Sequence, residues 1–304
     1  MTDGEWFRFL SQQPGIDEVN FWQPGGGRGF NVLTLGAPLL FKLHAPDNFI
    51  AGGGFFASFS RLPISMVWET FDIKNGVRTY ADMRARVEHY RRKAPSPRED
   101  YEIGNIILQD PFFLPRERWI PAPADFARSV VQGKSYDLAQ PMGRALWDQV
   151  LAACTLTSRR VAERPVEIDG PMFGEAQLGQ VRLRQGAFRV MVTDAYSRRC
   201  AISGEKALPV LQAAHIKPVA EGGQHRLDNG LLLRSDVHTL FDRGYITVTP
   251  DHRILVASKK LKDDYDNGEP YVPFHGSKIW LPGNESERPS SDQLQWHNDT
   301  LFRG

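Results

Sequence analysis

The sequence predicts an α+β protein in two parts, a strand-rich first region followed by a second built as strand, loop, strand and short helix. Three observations lead there. Residues 1–140 carry repeated short apolar runs bounded by Gly, Pro and Asn turn signals. Residues 181–304 alternate strand-period and helix-period patterns over short distances. Between them lies a polar stretch with Pro and Gly and little periodicity.

In chain order, FNVLTLGAPLLFKLH (residues 30–44), FIAGGGFFASFSRLP (49–63) and GNIILQDPFFL (104–114) read as strands, with QPGGGRG and KNG as turns beside them. TYADMRARVEHYRRK (79–93) has apolar residues at helical spacing and a basic end, so it reads as an amphipathic helix. The first domain, 1–140, is therefore a curled sheet or small barrel with one or two helices. PMGRALWDQVLAACTL (141–156), opening on Pro141, reads as a helix. VAERPVEIDGPMFGEAQLG (161–179) reads as a linker, so residues 141–180 join the first domain to the second, 181–304. There FRVMVTDAYSRR (188–199) reads as a helix, CAISGE as a turn, PVLQAAHIKP (209–218) as a strand and VAEGGQHRLDNG (219–230) as a loop. LLLRSDVHTLFDRG (231–244) reads as an apolar entry and then a helix with Ser235 as its N-cap. YITVTPDHRILVAS (245–258) alternates around a turn at Pro250 and Asp251.

Composition bounds the function. With 304 residues, 41% hydrophobic and 24% charged, the chain has the statistics of two ordinary globular domains. Its two cysteines, Cys154 and Cys200, are too few for a four-cysteine zinc site and too far apart to suggest a disulfide framework. Cys200 reads as a small buried residue. The start, MTDGEWFRFLSQQPG, is acidic and lacks a signal-peptide core, and no apolar run approaches the roughly 18 to 20 residues needed to span a bilayer. A cytoplasmic protein with no membrane partner is expected. A net charge of +1 carries no global nucleic-acid signature, yet residues 182–243 hold ten Lys or Arg against six Asp or Glu. Such a local excess suits a surface that faces phosphates, and equally an ordinary solvated one.

The chemistry concentrates in that stretch. His215 lies on the predicted strand, Asn229 closes the loop, and His238 and Asp242 stand four residues apart on one face of the predicted helix. An imidazole and a carboxylate at that spacing can grip one divalent ion. Phosphodiester hydrolysis needs a base to take the proton of water, and imidazole titrates near the working pH, which suits His215. It also needs a cation to neutralise charge building on the phosphate and the leaving oxygen, which suits His238 and Asp242 as metal ligands. Asn229 cannot titrate, but its amide can bridge backbone groups and hold the base in register. Lys217 and Arg234 flank the site and read as phosphate-holding DNA contacts or as solvated charge. His225 reads as a surface residue or a DNA contact.

The run LQAAHIKPVAEGGQHRLDNGLLLRSDVHTLFDRG resembles the HNH endonuclease family, in the subgroup written AAHI, NGLLL and HTLFD. The resemblance extends over about residues 181–304, including the closing DQLQWHNDTLF. It implies a ββα-metal finger that cuts DNA with a single ion, Mg or Mn foremost and Ni or Zn as further options. His215, Asn229 and His238 are then the signature catalytic residues, with His238 and Asp242 on the metal. One departure from the commoner pattern is Ala214, where many members place a further ligand just before the base histidine.

The run from LLFKLHAPDNFIAGGGFFASF to DIKNG, with IGNIILQDPFF and WIPAPADFARSVVQGKSYD after it, resembles PUA-like domains of the EVE and SRA kind. This implies a small β-barrel that accepts a flipped modified base between aromatic walls. Trp22, Trp68 and Trp119 are its pocket candidates, against the plainer reading of core tryptophans. Together the two resemblances imply a modification-dependent restriction endonuclease, acting on double-stranded DNA with modified cytosine, in antiphage defence. A homodimer is expected, since one such site cuts one strand. Other readings stay open: an HNH nuclease of other purpose, toxin-like or a nickase, or a non-catalytic DNA-binding module.

Overall fold

A computed structural model describes residues 1–25, 29–91, 99–126, 133–158 and 183–304. The expected linker at 161–179 lies outside the described residues. The chain divides into two compact units, Met1–Met172 and Phe173–Gly304. It is a mixed helix and strand protein, as expected.

The first unit begins with a helix the sequence pattern did not reveal, α1 (Gly4–Ser11), capped by the Asp3 carboxylate, which accepts from the backbone N–H of Glu5 and Trp6. Strands β1 (Glu18–Gln23), β2 (Pro38–Lys42), β3 (Phe49–Pro63), β4 (Glu102–Phe113) and the short β5 (Ile120–Pro121) form one antiparallel sheet. Its order is β1-β4-β3-β2, with β5 also on β3. Among the described residues this sheet is open, which corrects the barrel implied by resemblance. The apolar face is covered by α1, whose Trp6, Phe7 and Leu10 join Phe41, Phe56, Ile106 and Leu108 in one core, so the sheet need not curl onto itself to bury it. Helices α2 (Ile64–Phe71) and α3 (Tyr80–Tyr90) follow β3. The helix read at 141–156 forms as α4 (Pro141–Ser158), and it packs Leu146, Val150 and Ala153 on Ile50, Leu114 and Ile120 of the first unit. Among the described residues no helix is long and apolar enough to cross a membrane.

The second unit opens with α5 (Gln185–Ala195), three residues earlier than its periodicity suggested; it stops where Ser197 and Arg198 adopt positive φ. The hairpin β6 (Leu211–His215) and β7 (Gly230–Arg234) leads into α6 (Ser235–Asp242). Ser235 is the first residue of that helix and not its cap: Arg234 holds the N-cap position and no side chain closes it. A second hairpin, β8 (Ile246–Val248) with β9 (Ile254–Val256), then α7 (Ser258–Tyr265) and α8 (Ser291–Thr300), complete the unit.

Inside this unit His297 of α8 is 1% exposed and stacks on Phe241 of α6 at 3.8 Å between ring centroids. A carbonyl only accepts, so His297 Nε2 donates to Phe241 O at 3.1 Å and Nδ1 accepts from the Thr247 hydroxyl at 2.8 Å. Burial pushes its pKa down to about 4. The unfolded chain therefore takes a proton below about pH 6.5 that the folded chain refuses, and stability is complete above that pH and lost on the way down to about 4. Denaturant melts at pH 7 and pH 5 are expected to differ by about 2 kcal/mol from this residue, a difference that His297→Gln should reduce.

Candidate active site

The hairpin, the loop within it and α6 place the site. Residues Leu231, Leu232 and Leu233 of β7 and Val237 and Phe241 of α6 are fully buried, which leaves β6 and one face of α6 to carry polar groups. His215 ends β6 opposite Gly230. Its ring stacks on Phe188 of α5, 4.2 Å between centroids and 11° between planes. Any Cβ at position 230 would stand 2.6 Å from Val192 and 3.1 Å from Phe188, so glycine there is what lets α5 lie against the hairpin and back the histidine. His215 Nε2 lies 2.9 Å from Nδ1 of His225. Burial, then the neighbouring His225 and His238, push the His215 pKa down to about 4, which leaves the imidazole neutral at pH 7.

Asn229 is 2% exposed and spans the loop from inside. Its Oδ1 accepts from Lys217 N at 2.9 Å, and its Nδ2 donates to Lys217 O and Gln224 O, both at 3.0 Å. The backbone continues the tie, Ile216 N donating to Asn229 O at 2.9 Å. Both ends of the loop are thereby fastened to each other immediately after His215.

On α6, His238 Nε2 stands 3.3 Å from Asp242 Oδ2, across one helical turn. His238 Nδ1 lies 2.8 Å from Gln212 Oε1 of β6. An amide oxygen only accepts, so Nδ1 donates to it and Nε2 faces the carboxylate. The 3.3 Å spacing suits a single divalent ion bound at about 2.0–2.2 Å to each. The Asp242 side chain is 54% exposed, open to an ion arriving from solvent. Among the described residues no group of three His, Cys, Asp or Glu side chains is placed to hold a metal, so the pair would share the ion with water and phosphate. Ala214 is fully buried; by the pleat it shares a strand face with Gln212, the residue that reaches His238.

The flanking cations are less available than the sequence suggested. Arg234 forms a two-pronged pair with Asp236, Nε–Oδ1 2.6 Å and NH2–Oδ2 2.8 Å, and Tyr271 OH donates to the same carboxylate at 3.1 Å. Arg226 pairs likewise with Asp228, Nε–Oδ1 2.9 Å. Lys217 Nζ lies 5.2 Å from the ring centre of Trp296. Two residues whose place in the site the sequence did not reveal stand there. Gln212 precedes the AAH motif at a position whose polar side chain alternates with apolar neighbours, the one signal it carried. His225, read as a surface residue or a DNA contact, is half-buried against His215.

The three candidate tryptophans of the first unit lie on separate elements. Trp22 is on β1 and Trp119 lies just before β5, and both pack against the same core. Their indole N–H groups donate to backbone, Trp22 to Asn75 O at 3.1 Å and Trp119 to Leu114 O at 3.0 Å. Trp68 is on α2, half-buried beside Tyr80. A cleft of about 560 Å³ opens in this unit, lined by Asp3, Arg8, His44, Arg86 and Tyr90 among others and by none of the three tryptophans.

Among solved structures, the chain is similar to the modification-dependent TagI restriction endonuclease, at 21% identity and a TM-score of 0.29. That match covers 43% of this chain and 45% of the other, less than half of either, and is too loose to carry an argument. No curated protein matches the chain at a significant level. The segment that holds His215, Asn229, His238 and Asp242 is another matter: residues 200–249 match the HNH endonuclease family.

Proposed function

We propose that this protein is a metal-dependent DNA endonuclease, with His215 as general base, His238 and Asp242 as metal ligands and Asn229 as the brace of the loop between them. The observation that carries the reading is the pairing of a neutral, aromatic-backed imidazole with a His–Asp pair spaced to hold one ion, inside the segment that matches the HNH endonuclease family. When bound, a divalent ion would supply Lewis-acid stabilisation of the phosphate and leaving oxygen. The chain's own residues do the rest. His215 takes a proton from the attacking water, the O–P bond forms as the P–O3′ bond breaks, and Asn229 keeps the base from drifting as charge moves. Gln212 holds His238 in the tautomer that presents Nε2.

The reading extends to modification-dependent restriction by a homodimer, with the first unit as reader of a modified cytosine in double-stranded DNA. It is supported by the two-unit organisation and by the aromatic content of the first unit, although its cleft has charged walls where tryptophan was expected. Incubation with Mg or Mn and plasmids identical except for base modification tests both layers. Cutting of modified DNA, abolished by a chelator, is the expected result. Equal cutting of all substrates removes the reader function, and chelator-resistant cutting removes the metal.

A further inference from the structure

We infer that His225 is a positioning residue for His215, which it holds in the tautomer that leaves Nδ1 bare for the attacking water. The inference rests on the nuclease reading above for its consequence and on the site's geometry for its substance. The two rings meet Nε2 to Nδ1 at 2.9 Å, with centroids 4.9 Å apart and planes at 61°. Phe188 lies against both rings, 4.2 Å from His215 and 5.6 Å from His225, so neither pivots freely. Backbone fixes His225 as well: its carbonyl accepts from Leu183 N, and Asn229 Nδ2 holds the preceding carbonyl, of Gln224.

One proton lies between the two nitrogens. Were it on His225 Nδ1, His215 Nε2 would be occupied as acceptor, the neutral His215 ring would carry its own proton on Nδ1, and no basic nitrogen would remain for water. With the proton on His215 Nε2, donated to the His225 lone pair, Nδ1 is free to accept. The second arrangement is the one a base requires. As the water's proton arrives at Nδ1, the new positive charge is stabilised through the same Nε2–H bond, and no proton has to cross between the rings. The groups that face His215 are His225 from the loop, His238 from α6 and the uncharged Phe188 from α5. Among these His225 is the one hydrogen-bonded to it.

The test compares His225→Ala with His225→Asn, whose Oδ1 can occupy the place of Nδ1 and accept from His215 Nε2. His225→Ala is expected to lower kcat by about 10- to 100-fold with KM for DNA little changed, and His225→Asn to recover most of that loss. Nitrogen NMR of imidazole-labelled full-length protein supplies a readout that mere structural support would not move. Wild type should carry the His215 proton on Nε2, and His225→Ala should redistribute it between the two nitrogens. An unchanged kcat in His225→Ala, or a wild-type His215 protonated on Nδ1, overturns the inference. A wild-type protein that cuts no DNA overturns the nuclease reading instead, and the NMR arm still decides the pairing.

Discussion

His215→Ala is expected to cut DNA about 100- to 10,000-fold more slowly than wild type, the range that a lost general base costs, while binding DNA as before. The side chain sits at the end of a strand, so its removal leaves the hairpin hydrogen bonds intact, and a gel-shift assay in the presence of metal separates binding from cleavage. Full cleavage by this variant would remove His215 from the mechanism. A pH profile sharpens the test. A base whose pKa is pushed to about 4 is deprotonated throughout the neutral range, so kcat/KM, which reports the free enzyme, should be flat from about pH 6 to 8 and fall only near pH 4. Bound phosphate adds negative charge beside the ring and favours its protonated form, so the acid limb of kcat should lie at higher pH than that of kcat/KM. Coincident limbs near pH 7 would point to a different base.

Asn229→Ala is expected to be the most destabilising single change in the second unit outside its apolar core. The substitution leaves Lys217 N, Lys217 O and Gln224 O without their partner in a place that is 2% exposed. Stranding buried polar groups costs about 1–3 kcal/mol each before water enters, so a loss on the order of 3 kcal/mol is reasonable. Asn229→Asp is the informative companion. It keeps the acceptor for Lys217 N but turns a donor toward two carbonyls into a third oxygen facing them, so it should destabilise despite near-identical shape. Denaturant melts measure both, and a loss below about 0.5 kcal/mol for either would show that the loop is held by other contacts.

The site was legible in the sequence where chemistry follows local spacing. His238 and Asp242 share a helical face because four residues make one turn, and His215 lies on the strand read at 209–218, which in the fold already ends at His215. What spacing cannot express is contact made across the fold. Gln212 reaches a helix 26 residues on, and His225 finds His215 through the closure of an aperiodic loop. The first unit hid more. Strand β1 buries Glu18 and Asn20, polar residues that disguise a core strand. Asn20 earns its place by donating to Asn75 at 2.9 Å and Asn105 at 2.8 Å, a network invisible to any hydropathy pattern. Helix α2 starts immediately after Pro63, where the strand reading ended, and its eight residues were too few to show a helical period. The strand patterns allowed either a curled sheet or a small barrel, and likeness favoured the barrel, but nothing in those patterns required closure.

The Asn229 tie also divides the loop into a fastened root and an open tip. Its root, from Lys217 and from Gln224 to Asn229, carries the histidine contact and the buried amide. Gly223 belongs with the root, since a Cβ there would lie 1.9 Å from Lys217 O. Its tip, Val219 to Gly222, is exposed. Length and charge can therefore change at the tip without disturbing the buried hydrogen bonds at the root, which makes the tip the place where insertions cost the fold least.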